Sequence, residues 1–120
     1  MIRRTIAEEA ARGVLAEVRL MLRFAKAQEG TEAKRDAYRS IRDRLRNAVD
    51  AQVRYGMDRD HEDLYLCLFD ATNWLTSALN PPIFNPDCRH VVLAHKRLLE
   101  LHAILEPAET ADVVPIGGAS

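Results

Sequence analysis

Apolar residues recur every three or four positions along this chain, and glycine or proline interrupts the pattern at three places. Such spacing puts the apolar side chains on one face of a helix, so the interrupted pattern predicts four helices. Aromatic residues make up only 6% of the chain, which favours helix over sheet. With 120 residues, the chain is long enough for one domain with a real core. We therefore predict an all-α, antiparallel up-down-up-down four-helix bundle over 1–106, with helices at about 6–29, 32–55, 61–79 and 86–106 and a flexible tail at 107–120.

Capping residues give the predicted helix boundaries. Thr5 and Glu8 have the spacing of a capping box, which predicts the start of the first helix. Glycine favours the left-handed backbone that ends many helices, and asparagine followed by proline is typical of a helix start. The remaining boundary residues are Gly30 and Thr31 between helices 1 and 2, Gly56 after helix 2, Asn85-Pro86 at the start of helix 4, and Pro107 at its end.

Charge is sorted by position in the sequence. Residues 1–59 hold 14 Lys/Arg against 9 Asp/Glu, which gives a net charge of +5. Residues 60–120 hold 3 Lys/Arg against 9 Asp/Glu, which gives −6, and the two halves sum to the net charge of −1. Such a division indicates either docking between the two halves or a partner for one of them. No apolar run is long enough to span a bilayer or to form a signal peptide, so we expect no membrane association and a cytoplasmic location.

Arginines form two rows at helical spacing. Helix 2 carries a ladder spaced four, three and four residues apart and about 16 Å long, which could follow an acidic protein surface or a phosphate backbone. Aspartates at 36, 43 and 50 lie beside it, and the pairs Asp36/Arg39, Asp43/Arg46 and Asp50/Arg54 would make it a solvated, salt-bridged face. The ladder consists of Arg35, Arg39, Arg42 and Arg46, and a looser row on helix 1 consists of Arg12, Arg19, Arg23 and Lys26.

The connector between helices 3 and 4 holds two large apolar residues between prolines. Ile83 and Phe84 must either fold back onto the bundle or remain exposed as an anchor for a partner. Helices 1 and 3 also have apolar faces wider than one core requires, and a second chain commonly covers such a surplus. We therefore expect a homo-oligomer.

Catalytic and metal-binding patterns are weak in this sequence. Cys88, His95 and His102 share one line of helix 4, but they are about 10.5 Å apart along the axis, too far for one zinc ion. Arg89…His95 and Arg97…His102 resemble the Arg-x(4–6)-His motif of HEPN ribonuclease-type bundles, which would imply RNA cleavage. Such spacings arise easily by chance in an arginine-rich chain. We predict neither a cofactor nor a metal site, and we expect Cys67 and Cys88 to be unpaired thiols.

These observations favour a non-enzymatic bundle that acts through protein–protein contacts, as a small regulator, adaptor or inhibitor of bacterial or phage type. The expected partner is a protein with an acidic surface. The first alternative is nucleic-acid binding by the helix-2 ladder, and the second is a HEPN-like ribonuclease. The pI near 6.4 and the few aromatic residues make nucleic acid the less favoured partner.

Overall fold

Four α-helices make up the described part of the chain. The structure is a computed structural model that describes residues 2–54 and 62–106, with side chains from Ile6 onward. The helices are α1 (Ile2–Ala27), α2 (Thr31–Arg54), α3 (Glu62–Leu79) and α4 (Arg89–Leu105). The predicted all-α class is confirmed. The predicted tail at 107–120 and the turn around Gly56 lie outside the described residues.

Two predicted helix starts are wrong. α1 begins at Ile2 rather than after Thr5, because residues 2–4 have no helix breaker and simply extend the helix. α4 begins at Arg89 rather than Pro86. Asn85 uses its side chain to accept the Asp87 amide at 2.9 Å, and its carbonyl accepts the Cys88 amide at 3.1 Å, so the Asn-Pro pair forms a turn ahead of the helix. The residue that caps α4 is Cys88.

The turn between α1 and α2 depends on one glycine and one lysine. Gly30 has a φ of +94°, a backbone conformation that other residues rarely adopt. The ammonium group of Lys34 donates to the carbonyl of Lys26 at 3.0 Å and approaches that of Ala25 at 3.4 Å. Lys34 therefore supplies a donor to the Lys26 carbonyl at the end of α1, while the Ala25 carbonyl also accepts the Gln28 amide at 3.2 Å.

Neighbouring helices pack along the chain order, and a polar contact shows that α1 and α2 run antiparallel. Gln52 of α2 donates to the carbonyl of Ala7 at 3.2 Å, near the other end of α1. α3 packs closely on both α2 and α4, whereas α1 packs on α2 and touches α4 at few positions. The seam between α1 and α4 is consequently open. Fully buried core residues include Val18, Ile41, Leu45, Leu64, Leu68, Leu75 and Leu101.

The two large apolar residues of the connector from α3 to α4 differ in burial. Phe84 is only 2% exposed, and its ring lies 5.3 Å from that of Tyr38, whereas Ile83 is 79% exposed. Arg35 holds the same connector, because its guanidinium donates to the carbonyls of Leu79 at 3.2 Å, of Pro82 at 2.9 Å and of Pro81. Phe84 thus closes one end of the core, and Ile83 points away from it.

Candidate docking groove

A row of clefts follows the open seam between α1 and α4, with α2 contributing at one end, and we call this row the α1–α4 groove. It consists of three clefts, which we call the upper, middle and lower clefts. Their volumes are about 620, 140 and 250 Å³, respectively. His95 lines both the upper and the middle cleft, while Leu15 and Arg19 line both the middle and the lower cleft. Because neighbouring clefts share these lining residues, the three clefts lie next to one another along the two helices. Its apolar floor consists of Leu15, Val18, Leu22, Val91 and Leu98.

The two walls of the groove differ in chemistry. The α4 wall is largely apolar, since Val92 is 58% and Leu99 66% exposed on the sides of the clefts, and its polar members are His95 and His102. The α1 wall is basic, since Arg12, Arg19 and Lys26 line the lower, middle and upper clefts. An apolar floor with one apolar and one charged wall is typical of a surface that receives an amphipathic helix.

Three members of the predicted helix-1 row, Arg12, Arg19 and Lys26, line this groove, whereas Arg23 lines none of the three clefts. Arg12 is used structurally, because it donates to the Leu105 carbonyl at 2.6 Å and lies 3.8 Å from the Glu106 carboxylate. Arg19 and Lys26 make no side-chain hydrogen bond or ion pair with the described residues. Arg23 follows Arg19 by four residues, which places it near the same face of α1. Two groove cations therefore remain available to a ligand.

The predicted helix-2 ladder lies away from the groove, and most of its members are engaged locally. Arg39 forms the expected pair with Asp36 at 3.0 Å. Arg42, rather than Arg46, binds Asp43 at 2.8 Å, which corrects the predicted Asp43/Arg46 pair. The predicted pair of Asp50 with Arg54 is not formed between the described side chains. With Arg35 holding the connector, Arg46 is the ladder member that stays exposed without such a contact in the described chain.

The upper cleft gathers polar groups from three elements around an apolar interior. Its polar lining groups are Lys26, Lys34, Tyr38, Asp87 and His95. Burial, and then the positive charge of Lys26, hold the pKa of His95 below its ordinary value. Burial, and then the negative charge of Asp87, raise the pKa of Tyr38. At neutral pH the imidazole is therefore uncharged, and the phenol keeps its proton.

Sequence reasoning missed the main interaction between α3 and α4. Arg97 donates to the Asp70 carboxylate at 2.6 Å and to the Glu100 carboxylate, so the guanidinium is held between two acids. In the sequence Arg97 stood out only as part of an Arg…His pair. The i,i+3 spacing to Glu100 was visible, but the contact with Asp70 needs the packing of two helices.

The line of Cys88, His95 and His102 has a different meaning in the structure. His95 and His102 both lie along the groove, at its upper and lower levels. Within the described ranges, no three or more His, Cys, Asp or Glu side chains come together as a metal site. Both cysteines are unpaired, with Cys67 buried and Cys88 half-buried.

Comparisons with protein families, with curated proteins and with solved structures find no match for this chain. None of the described helices is both long and apolar enough to cross a membrane. The residues of the α1–α4 groove are therefore the basis of the function proposed below.

Proposed function

We propose that this protein is a non-enzymatic binding protein whose α1–α4 groove receives an acidic, amphipathic helical segment of a partner protein. The observation that carries this proposal is the juxtaposition of exposed apolar side chains on α4 with cations on α1 that make no hydrogen bond or ion pair with the described residues. Val92 and Leu99 supply the apolar wall, and Arg19 and Lys26 supply the cations.

The length of the groove suits one short helix. From Arg12 to Lys26, α1 rises about 21 Å, which matches a helix of about 14 residues. A ligand helix in this position would cover the exposed side chains of Val92 and Leu99 with its apolar face. Burial of apolar surface is the main favourable term in such an association.

Charge decides the chemistry of the partner. The groove lining holds Arg12, Arg19, Lys26 and Lys34 against Asp87 and Glu106, and Arg12 and Glu106 already pair with each other. The remaining cations exceed the remaining acid, so a segment with Glu or Asp along one flank complements the α1 wall. Charges on such a rim mainly raise the association rate and the specificity.

Panning of a phage-displayed library of helical peptides on the full chain tests this proposal. We expect enriched peptides with an apolar stripe flanked by acids, and we expect Leu99→Glu to abolish their binding. The matched control is Leu20→Glu, because Leu20 is 63% exposed but lies on another face of α1. It follows Glu17 by three residues, and Glu17 contacts Arg44, so this face is directed toward α2. No enrichment, enrichment of basic peptides, or equal loss with both variants would contradict the proposal.

Self-association is tested on the same variants. The surplus apolar surface predicted for α1 and α3 includes Leu20, Phe24, Leu66 and Phe69, which are exposed. If a second copy occupies the groove, light scattering at micromolar concentration will show a dimer that Leu99→Glu dissociates. A dimer that only Leu20→Glu dissociates would place self-association on the α2 side of α1 and leave the groove to another protein.

A further inference from the structure

The upper cleft is rich in hydrogen-bond donors that have no acceptor. The Nε2 atom of His95 is buried and has no hydrogen-bond partner. No described group forms a hydrogen bond with the Tyr38 hydroxyl or with the Lys26 ammonium group. Of these three groups, the Nε2 atom of His95 is the buried one, and a buried polar atom without a partner costs stability. A cleft in which such an atom lies beside a phenol and an exposed ammonium group is typical of a binding site.

We propose that the upper cleft binds one carboxylate, with Lys26, Tyr38 and His95 as its donors, and that it thereby anchors the acidic segment received by the α1–α4 groove. This inference rests on the proposed function for the source of the carboxylate. The same chemistry would also bind a small carboxylic acid with an apolar body.

Net charge favours a carboxylate over a phosphate. Lys26 and Lys34 contribute two positive charges, Asp87 contributes one negative charge, and the imidazole is neutral, which leaves about one positive charge in the cleft. The ammonium group of Lys34 already donates to two carbonyls of α1. A single carboxylate matches this charge, whereas a dianionic phosphate would leave one negative charge without compensation.

Hydrogen bonding favours the same ligand. A neutral imidazole can carry its proton on Nε2 and donate it, and the raised pKa of Tyr38 keeps the phenol as a donor. The first turn of α4 has no acidic residue and its cap has no side-chain hydrogen bond, so its free amides add to the positive potential beside the cleft.

The apolar part of the cleft determines what can carry the carboxylate. Pro86, Val91 and Val92 line it, and its volume of about 620 Å³ is within the usual range for ligand pockets. A bare acetate ion would leave these surfaces uncovered. A carboxylate attached to several methylene groups or to a ring would contact them.

The test uses 4-phenylbutyrate as probe and the matching primary amide, 4-phenylbutyramide, as control. NMR follows the His95 ring proton signals of the full-length protein, with His90 and His102 as internal references. We expect saturable binding of the acid, a weaker effect of the amide, and a higher His95 pKa in the bound state, because a nearby anion favours the imidazolium. The charged and titratable groups that line the two clefts shared by His95 are Lys26 and Arg19 from α1, Lys34 and Tyr38 from α2, and Asp87 from the connector.

Variants identify the donors. Lys26→Gln should weaken binding of the acid at least about tenfold, because it removes the positive charge and the charged hydrogen-bond donor. Tyr38→Phe removes only the hydroxyl and should weaken it by about threefold to tenfold. Lys96→Gln is the control, because Lys96 is an exposed lysine of α4 that does not line the cleft. Equal binding of acid and amide, stronger binding of phenyl phosphate than of the acid, or no response of His95 would overturn the carboxylate site.

The failure of this inference is distinguishable from that of the docking groove. If the panned peptides bind and Lys26→Gln and Tyr38→Phe leave their affinity unchanged, the carboxylate anchor is refuted and the groove stands. If the acid binds as expected but no peptide is enriched, the groove proposal is refuted and the cleft is a small-molecule site.

Discussion

Replacement of Arg35 by methionine tests whether the helix-2 ladder is a structural element. Methionine keeps most of the aliphatic stem and removes the donors that hold the carbonyls of Leu79, Pro81 and Pro82. Hydrogen bonds to a charged group are worth about 1.5–3 kcal/mol, but two of these three are exposed and they act as one unit. We therefore expect a loss of about 2 kcal/mol in the free energy of unfolding.

The matched control is Arg39→Met, since Arg39 makes only the exposed i,i+3 pair with Asp36. Such a pair contributes about 0.3–0.5 kcal/mol. Urea denaturation followed by circular dichroism separates the two variants, because a slope of about 2 kcal/mol per molar urea converts the loss at Arg35 into a midpoint shift of about 1 M. If both variants shift the midpoint equally, Arg35 does not stabilise the connector, and the helix-2 ladder returns as a candidate binding surface.

Three further predictions concern the core and its polar groups. Phe84→Ala should lower the free energy of unfolding by about 3–5 kcal/mol, whereas the adjacent Ile83→Ala should change it by less than about 0.5 kcal/mol. Similar losses for the two variants in urea denaturation would contradict the burial of Phe84 and the exposure of Ile83. The pKa of His95 is depressed in the folded state, so the unfolded chain binds a proton at this residue first as pH falls below about 6.5. The free energy of unfolding should therefore fall from pH 7 to pH 5, and it should fall more in the wild type than in His95→Gln. Parallel pH profiles of thermal melting would exclude that contribution. Gln52→Leu removes the buried Oε1 that has no partner, but also the hydrogen bond from Nε2 to the Ala7 carbonyl, so it should change the free energy of unfolding by less than about 1 kcal/mol. A loss above about 2 kcal/mol in chemical denaturation would contradict this.

Helix content could be predicted from the sequence because periodicity and glycine are local signals. The ends of α2 and α3 agree with the prediction to one residue, and Gly30 does lie in the turn before α2. Asn85-Pro86 was misread, because the same pair can begin a helix or form a turn. Which one forms depends on whether the connector must return Phe84 to the core, and that is a tertiary requirement.

The candidate site could be predicted only in part. The basic row on helix 1 was visible, but the more regular ladder on helix 2 gave the stronger sequence signal. Spacing within one helix does not show that Arg35 binds a connector 44 to 47 residues away. It also does not show the opening between α1 and α4. The sequence indicated only that His95 is too far from Cys88 and His102 to share a metal ion with them, whereas its place between two clefts depends on how α1 and α4 pack.

The most direct test of the α1–α4 groove is a pair of charge reversals measured with one acidic helical peptide enriched on the wild-type protein. Arg19 and Arg46 are both exposed and have no side-chain partner in the described chain, but Arg19 lines the groove and Arg46 lies on the helix-2 ladder. Fluorescence anisotropy at low salt gives the affinity of each variant. The groove predicts that Arg19→Glu weakens binding at least about tenfold and that Arg46→Glu changes it less than about twofold. The reverse result, with Arg46→Glu abolishing binding and Arg19→Glu leaving it intact, would contradict the groove and place the interface on helix 2.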